Sequence, residues 1–228
     1  MTRICIIPAR SGSKRIPKKA IKSFHGKPIM SYSIVAALDS NLFDEVMVST
    51  DSEEFAKIGR DYGASTPFLR SEENSNDHAT TLDAIEEVLE QYRNLGQVFD
   101  EVCCLYPAAP LVSAQILQQG FEKLAEGYTS VFAALRYGHP IQRAFKLVNG
   151  EAKMFDAQYQ NTRSQDLEPA YHDAGQFYCF KADAVLKEGS IFTSKCTFVL
   201  LNEYQAQDID NEDDWQMAEL KYKLRTGK

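Results

Sequence analysis

The chain has no C-x-x-C pair, no histidine pair at zinc-ligand spacing and no apolar run approaching a membrane span. Neither a zinc site nor a membrane partner is therefore expected. The five cysteines are odd in number. Cys5, Cys103 and Cys104 lie in apolar strand-like runs and Cys179 among aromatics. That placement predicts reduced thiols used as small core residues in a cytoplasmic protein. No basic surroundings activate any of them, so thiol catalysis is not expected. The first apolar run, Ile4–Ile7, is far short of a signal-peptide h-region. G-x-S-x-G, G-x-x-x-x-G-K-[ST] and G-x-G-x-x-G are all missing, so the chain carries neither a hydrolase elbow nor either of the two commonest phosphate loops. A basic balance is missing too. The chain carries 32 acidic against 25 basic residues, a formal net charge of −7. A nucleic-acid backbone wants a basic face over many residues, so nucleic acid is not an expected partner.

One local absence runs the other way. No acidic residue occurs before Asp39, while Arg3, Arg10, Lys14, Arg15, Lys18, Lys19, Lys22 and Lys27 all fall in that segment. The apolar run Ile4-Cys5-Ile6-Ile7 reads as a buried strand that opens at Pro8 into this cationic loop. A solvated basic loop is the plain reading. A socket for a small polyanion the size of a nucleotide triphosphate is the reading favoured here, because the strand before the loop is buried and the loop has no acid of its own. Ala9, Ser11, Gly12 and Ser13 are small enough to let the backbone approach a phosphate as an anion nest. Arg10 can grip two phosphate oxygens at once, and Lys19 supplies a mobile point charge.

At 228 residues one domain is expected, and a hydrophobic content of 44% supplies its core. Strand-like runs at 4–7, 45–49, 102–105 and 130–135 alternate with helical patterns at 31–40, 53–62, 80–92 and from Ser113 onward. This alternation predicts an α/β fold with a Rossmann-like, mainly parallel sheet and helices on both faces. Ligands of such sheets sit outside the carboxyl ends of the strands. Arg10, Asp51, Tyr106 and Arg136 each follow a strand and are expected on one rim. After Tyr137 the pattern changes. Asn149-Gly150 between 145–148 and 152–155 predicts a hairpin. The segment of about 138–172 reads as an insertion, either a flap or a dimerisation arm. Strands at 176–180 and 197–201 and a helix over 212–224 complete the chain.

Two further motifs stand out. Asp208 and Asp210 flank Ile209, and residues two apart on an extended segment share a face. The pair can hold one hard cation that keeps several waters and also binds phosphate. It can equally cap the last helix, although Asn211, Asp213 and Asp214 are better placed for that. Tyr171–Tyr178 brings polar and aromatic groups together before a strand, a pattern that suits either sugar binding or ordinary strand entry.

Taken together, these segments resemble the sugar-acid cytidylyltransferase family, the group that includes CMP-sialic acid synthetases. Ile7-Pro8-Ala9-Arg10-Ser11-Gly12-Ser13-Lys14 is similar to that family's IPARGGSK loop. Lys27-Pro28, Val48-Ser49-Thr50-Asp51, Pro67-Phe68-Leu69-Arg70 and Asp208-Ile209-Asp210 are similar as well. Lys14–Lys19, Tyr106-Pro107, Pro140–Ala144, Ser164–Leu167 and His172–Tyr178 resemble the pseudaminic acid subgroup. The resemblance implies a fold of the nucleotide-diphospho-sugar transferase type, and CTP and a nonulosonic sugar acid as substrates of a homodimer. Arg10, Lys19 and Asp208 are then the catalytic candidates, and Mg²⁺ is the implied cofactor on Asp208 and Asp210. Arg70 and Asp77 are candidates for contact with the cytidine, and Tyr106, Arg143, Asp173 and Gln176 with the sugar. Two departures from the family stand at Ala20, where Asn is usual, and Ala108, where Thr is common. Loss of the Asn amide predicts weaker nucleotide contact. The rival readings are the same reaction on sialic, legionaminic or KDO acid, and a non-catalytic nucleotide sensor. A glycosyltransferase fits less well, since its D-x-D pair lies between core strands.

Overall fold

The computed structural model describes residues 1–227. Strand β1, Arg3–Pro8, carries an apolar run that is buried throughout. Strands β4, Glu45–Ser49, and β5, Glu101–Leu105, pair with it in parallel, one on each side. Alternate side chains of β1 enter different layers: Cys5 and Ile7 pack on one face, Ile4 and Ile6 on the other. A strand buried on both faces shows this unbroken hydrophobic pattern.

Helices cover both faces, as expected. Helix α1, Met30–Ser40, α2, Glu53–Asp61, and α4, Ala114–Ala125, bury apolar stripes against the first face. Helix α3, Thr81–Asn94, and α5, Ala182–Glu188, cover the second. A short N-terminal hairpin joins β2, Ser23–Phe24, to β3, Lys27–Pro28, through His25 and Gly26 at positive φ. Strands β6, Ser130–Arg136, β9, Tyr171–Lys181, and β10, Cys196–Leu200, extend the sheet to six strands in the order β10-β6-β9-β5-β1-β4. Only β9 runs antiparallel to its neighbours. The hairpin of the insertion forms between β7, Phe145–Val148, and β8, Glu151–Met154, turning through Asn149 and Gly150 at φ 52° and 83°. Both central residues of such a tight turn require positive φ, which is why Asn-Gly signals it.

Three sequence expectations shift, and one further helix is found. Strand β9, expected over 176–180, begins earlier, at Tyr171. Helix α5 carries too short a pattern to be read from sequence. Ser113 occupies the N-cap of α4, but its hydroxyl accepts no cap hydrogen bond. Arg136 stands away from the rim of Arg10 and Tyr106, against a separate cavity of about 550 Å³ with Tyr137 and His139. Strand β9 inserts between β5 and β6 and displaces it. Among the described residues, no helix is long and apolar enough to cross a membrane.

A third, smaller core fixes the C-terminus. Helix α6, Glu212–Thr226, packs Trp215 and Ala218 against Ile16, Phe24, Ile29 and Ile209. The Phe24 ring meets Tyr32, Trp215 and Tyr222 edge-on, with centroids 5.4, 5.6 and 5.5 Å away. Phe24→Ala should therefore destabilise the protein by about 3–5 kcal/mol, read as a lowered urea midpoint. A loss under about 1 kcal/mol would show that this cluster does not anchor α6.

Candidate active site

The basic loop leaves β1 at Pro8 and is held from below. The Ala9 amide donates to the Ser49 carbonyl at 2.8 Å. Asp51, just beyond β4, accepts from the Ser11 amide at 2.8 Å and from its hydroxyl at 2.6 Å. Burial pushes the Asp51 carboxyl up, but the two Ser11 donors and its own backbone outweigh that and hold it below the usual carboxylate range. Arg70 is 9% exposed and donates to the Ser49 hydroxyl at 3.0 Å and carbonyl at 2.6 Å. The floor beneath the loop is thus hydrogen-bonded on both sides of β4.

Above this floor lies a cleft of about 610 Å³. Ala9, Arg10, Ser13 and Lys19 form one wall, Arg70 and Tyr106 the base, and Gly175, Asp208, Ile209 and Asp210 the opposite wall. The Tyr106 hydroxyl shares a hydrogen bond with Thr81 at 3.2 Å. Lys19 crosses between the walls: its Nζ donates to the Ile209 carbonyl at 2.6 Å. Burial lowers the Lys19 pKa against the pull of Asp210 and Asp208. Asp208 opens into the cleft, yet the dense wall desolvates it, and with the charge of Asp210 that raises its carboxyl above the ordinary range. Asp210 is paired with Arg15 at 2.6 Å. The Asn211 side chain accepts from the Asp214 amide and caps α6, while Asp214 accepts from the Asn211 and Asp210 amides. Neither Asp208 nor Asp210 is used as the cap.

The donor set suits a hard divalent cation. Two carboxylates flank a buried residue, and no group of three or more His, Cys, Asp or Glu among the described residues could hold a metal alone. Mg²⁺ typically takes one or two carboxylates and completes its shell with waters and substrate phosphate.

Several expected contacts stand elsewhere. Ser11 turns down to Asp51. Gly12 lies in open space, with nothing within 4 Å of where a Cβ would be. Asp77 sits on the rim, paired with Arg10 at 3.1 Å and with Lys14, and these cations hold its carboxyl below the ordinary range. Three sugar candidates are withdrawn from the cleft. Gln176 is completely buried, its amide turned onto backbone carbonyls. Asp173 uses its carboxylate on the Gly175 amide and the Tyr178 hydroxyl. Arg143 lies in the exposed insertion, 3.5 Å from the Ser164 hydroxyl. Asp51 and Gly175 are the residues that sequence reading undervalued. The rim position of Asp51 was visible, but its partner Ser11 was not.

The family model for cytidylyltransferases matches residues 4–214. The chain belongs to the cytidylyltransferase family. It is 43% identical to a pseudaminic acid cytidylyltransferase of Campylobacter jejuni, over 98% of this chain and 97% of that one. It is 31% identical to a CMP-N,N'-diacetyllegionaminic acid synthase of Legionella pneumophila, over 96% and 95%. Among solved structures, a CMP:2-keto-3-deoxy-manno-octonic acid synthetase complexed with CTP superposes with a TM-score of 0.72 at 16% identity. It covers 99% of this chain and all of that one, and shows the shared fold.

Within this cytidylyltransferase, Asp51 is the group whose protonation should loosen the loop. Its carboxylate contribution is complete above the unfolded pKa and is lost as pH falls through the lower folded value. Asp51→Ala should cost about 1–3 kcal/mol at pH 7. The gap to wild type should persist down to about pH 4 and close below it. Urea titrations across that range check this, and a gap independent of pH would contradict it.

Proposed function

We propose that the protein transfers a cytidylyl group from CTP to pseudaminic acid, giving CMP-pseudaminic acid and pyrophosphate. The observation that carries this is the joining of the cationic loop and the Asp208–Asp210 pair across one cleft. The identity with the Campylobacter relative supports the choice of sugar.

The sugar's anomeric hydroxyl attacks the α-phosphorus in line, and the bond to the pyrophosphate oxygen breaks. Such a reaction depends mainly on positioning and on charge stabilisation. Arg10 and Lys19 neutralise the departing pyrophosphate. Arg10 is free to do so because its pair with Asp77 is solvent-exposed on both sides, and such pairs are worth little. A triphosphate outcompetes them. Arg70 and the Tyr106 side of the base border the space for cytosine and sugar. Asp208 and Asp210 would hold Mg²⁺, and the desolvated Asp208 would gain most from a cation. A cation on these carboxylates would supply charge neutralisation for the phosphates and a lowered pKa for the attacking hydroxyl. The smaller Ala20 beside Lys19 removes one polar neighbour of the nucleotide.

The same reading takes the insertion as the contact of a homodimer. Phe145, Leu147 and Phe155 are exposed there by 62, 79 and 66%, an apolar group that a second copy would cover. A cytoplasmic location accords with thiols that stay unpaired in the core.

The test is pyrophosphate release from CTP and Mg²⁺ with pseudaminic, legionaminic and N-acetylneuraminic acids compared. Release is expected with pseudaminic acid, falling about 100–1000-fold or more in Asp208→Ala. Release with another acid instead would correct the substrate. CTP binding without release from any acid would favour a nucleotide sensor.

A further inference from the structure

Strand β9 does not run evenly along β6. Phe132 pairs with Tyr178, and two residues on, Ala134 pairs with Asp173. Ala133 alone therefore stands opposite Ala174, Gly175, Gln176 and Phe177. On the other side the Tyr106 amide still donates to the Gln176 carbonyl at 2.9 Å. The extra residues form a bulge that pushes Gly175 out into the cleft beside Asp208.

This bulge is held from within. The Asp173 carboxylate accepts from the Gly175 amide at 2.8 Å and from the Tyr178 hydroxyl at 2.6 Å. Gly175 has φ +61°, and a Cβ there would stand 3.1 Å from the Asp208 carboxyl carbon and 3.3 Å from both its oxygens. Glycine is therefore required twice, by conformation and by the approach of Asp208. Gln176 makes the link outward. Its Nε2 faces three carbonyl oxygens: Ala174 at 2.8 Å, Gly175 at 3.1 Å and Gln207 at 3.2 Å. The last belongs to the peptide that enters Asp208. The reverse orientation of the amide would set an oxygen against three acceptors, so the Nε2 side is fixed. Its Oε1 finds no partner among the described residues. Gln176 thus acts through its donors alone. On the far side of Asp208, the Gln207 side-chain Nε2 donates to the Asp208 carbonyl at 2.9 Å.

We propose that the Asp173–Tyr178 bulge, through Gln176 and Gly175, is a positioning device that aims the Asp208 carboxylate into the cleft. Bulges beside active sites commonly re-aim a side chain in this way. Gln176 is a positioning residue for the metal-binding wall, and Asp173 and Tyr178 lock the bulge it belongs to. The inference rests on the reading of Asp208 as a metal ligand.

The test replaces Gln176 by Met, which keeps the length and removes the donors. Mn²⁺ binding in the presence of CTP is read by electron paramagnetic resonance, with Asp208→Asn as reference. Gln176→Met should weaken Mn²⁺ binding and lower kcat by about 10–100-fold, as loss of a ligand's supporting partner does. The KM for the sugar acid should stay within about threefold, and CTP binding without metal should be unchanged. A lowered melting temperature with wild-type Mn²⁺ affinity and kcat would overturn the inference. So would a raised sugar KM with unchanged Mn²⁺ binding, which would make Gln176 a substrate contact. If Gln176→Met does not fold, Gly175→Ala decides on the same readouts, and wild-type Mn²⁺ affinity in it overturns the proposal. Wild-type protein showing no Mn²⁺ binding that depends on Asp208 would overturn the metal reading together with this inference. Retained binding in the variants overturns this inference alone.

Discussion

Ile209 is the fixed point of the molecule. It is buried in a cluster with Ile16 of the basic loop and with Phe24 and Trp215, and its carbonyl receives the Lys19 ammonium across 190 residues of chain. Burying such a side chain contributes about 1.5–3 kcal/mol. That contribution acts against two local costs: the desolvation of Lys19 and the crowding of two carboxylates on one wall. Apolar packing holds together what electrostatics alone would not place there. With Ile209 anchored in that cluster, the carboxylates on either side of it line the cleft.

The charge economy of the loop follows from the same geometry. A segment without acids of its own collects carboxylates from later in the chain. Lys14 meets Asp77, Arg15 meets Asp210, Lys18 meets Glu54 and Lys22 meets Glu212. All four carboxylates are substantially exposed, so each pair is weak and open to exchange. Arg70 differs: it is buried, and its bonds to Ser49 fix it in the floor. The site therefore combines a rigid floor with cations that an incoming polyanion can recruit. The overall negative charge does not oppose this, because screening confines each pair to its neighbourhood.

Much of this was legible in the residues. Continuous apolar runs marked β1, β4, β5 and β6, since strands buried on both faces show no polar alternation. Asn149-Gly150 marked the hairpin, since that turn demands positive φ. Placing the cap among Asn211, Asp213 and Asp214 freed Asp208 and Asp210, and in α6 the cap is Asn211. Less legible was the segment from Tyr171 to Tyr178, which suited either sugar binding or ordinary strand entry. Its polar groups looked available for a ligand, but Asp173 and Gln176 bond to backbone atoms of their own bulge and of residue 207. A side chain that answers to the backbone leaves no pattern in sequence spacing. The Asp51–Ser11 link was hidden for a related reason, being a contact between two loops distant in sequence. The short helix α5 has too few residues for a period to show.

The central claim is that one cleft holds a triphosphate on the Arg10–Lys19 loop and a divalent ion on the acids flanking Ile209. A crystal structure of the protein with CTP and Mn²⁺, recorded with anomalous scattering, tests it most directly. The account predicts an anomalous peak between the carboxylates of Asp208 and Asp210, with the triphosphate against Arg10 and Lys19 and Asp77 released from Arg10. A peak absent from the acid pair, or a triphosphate seated in the cavity of Arg136 and His139, would contradict it.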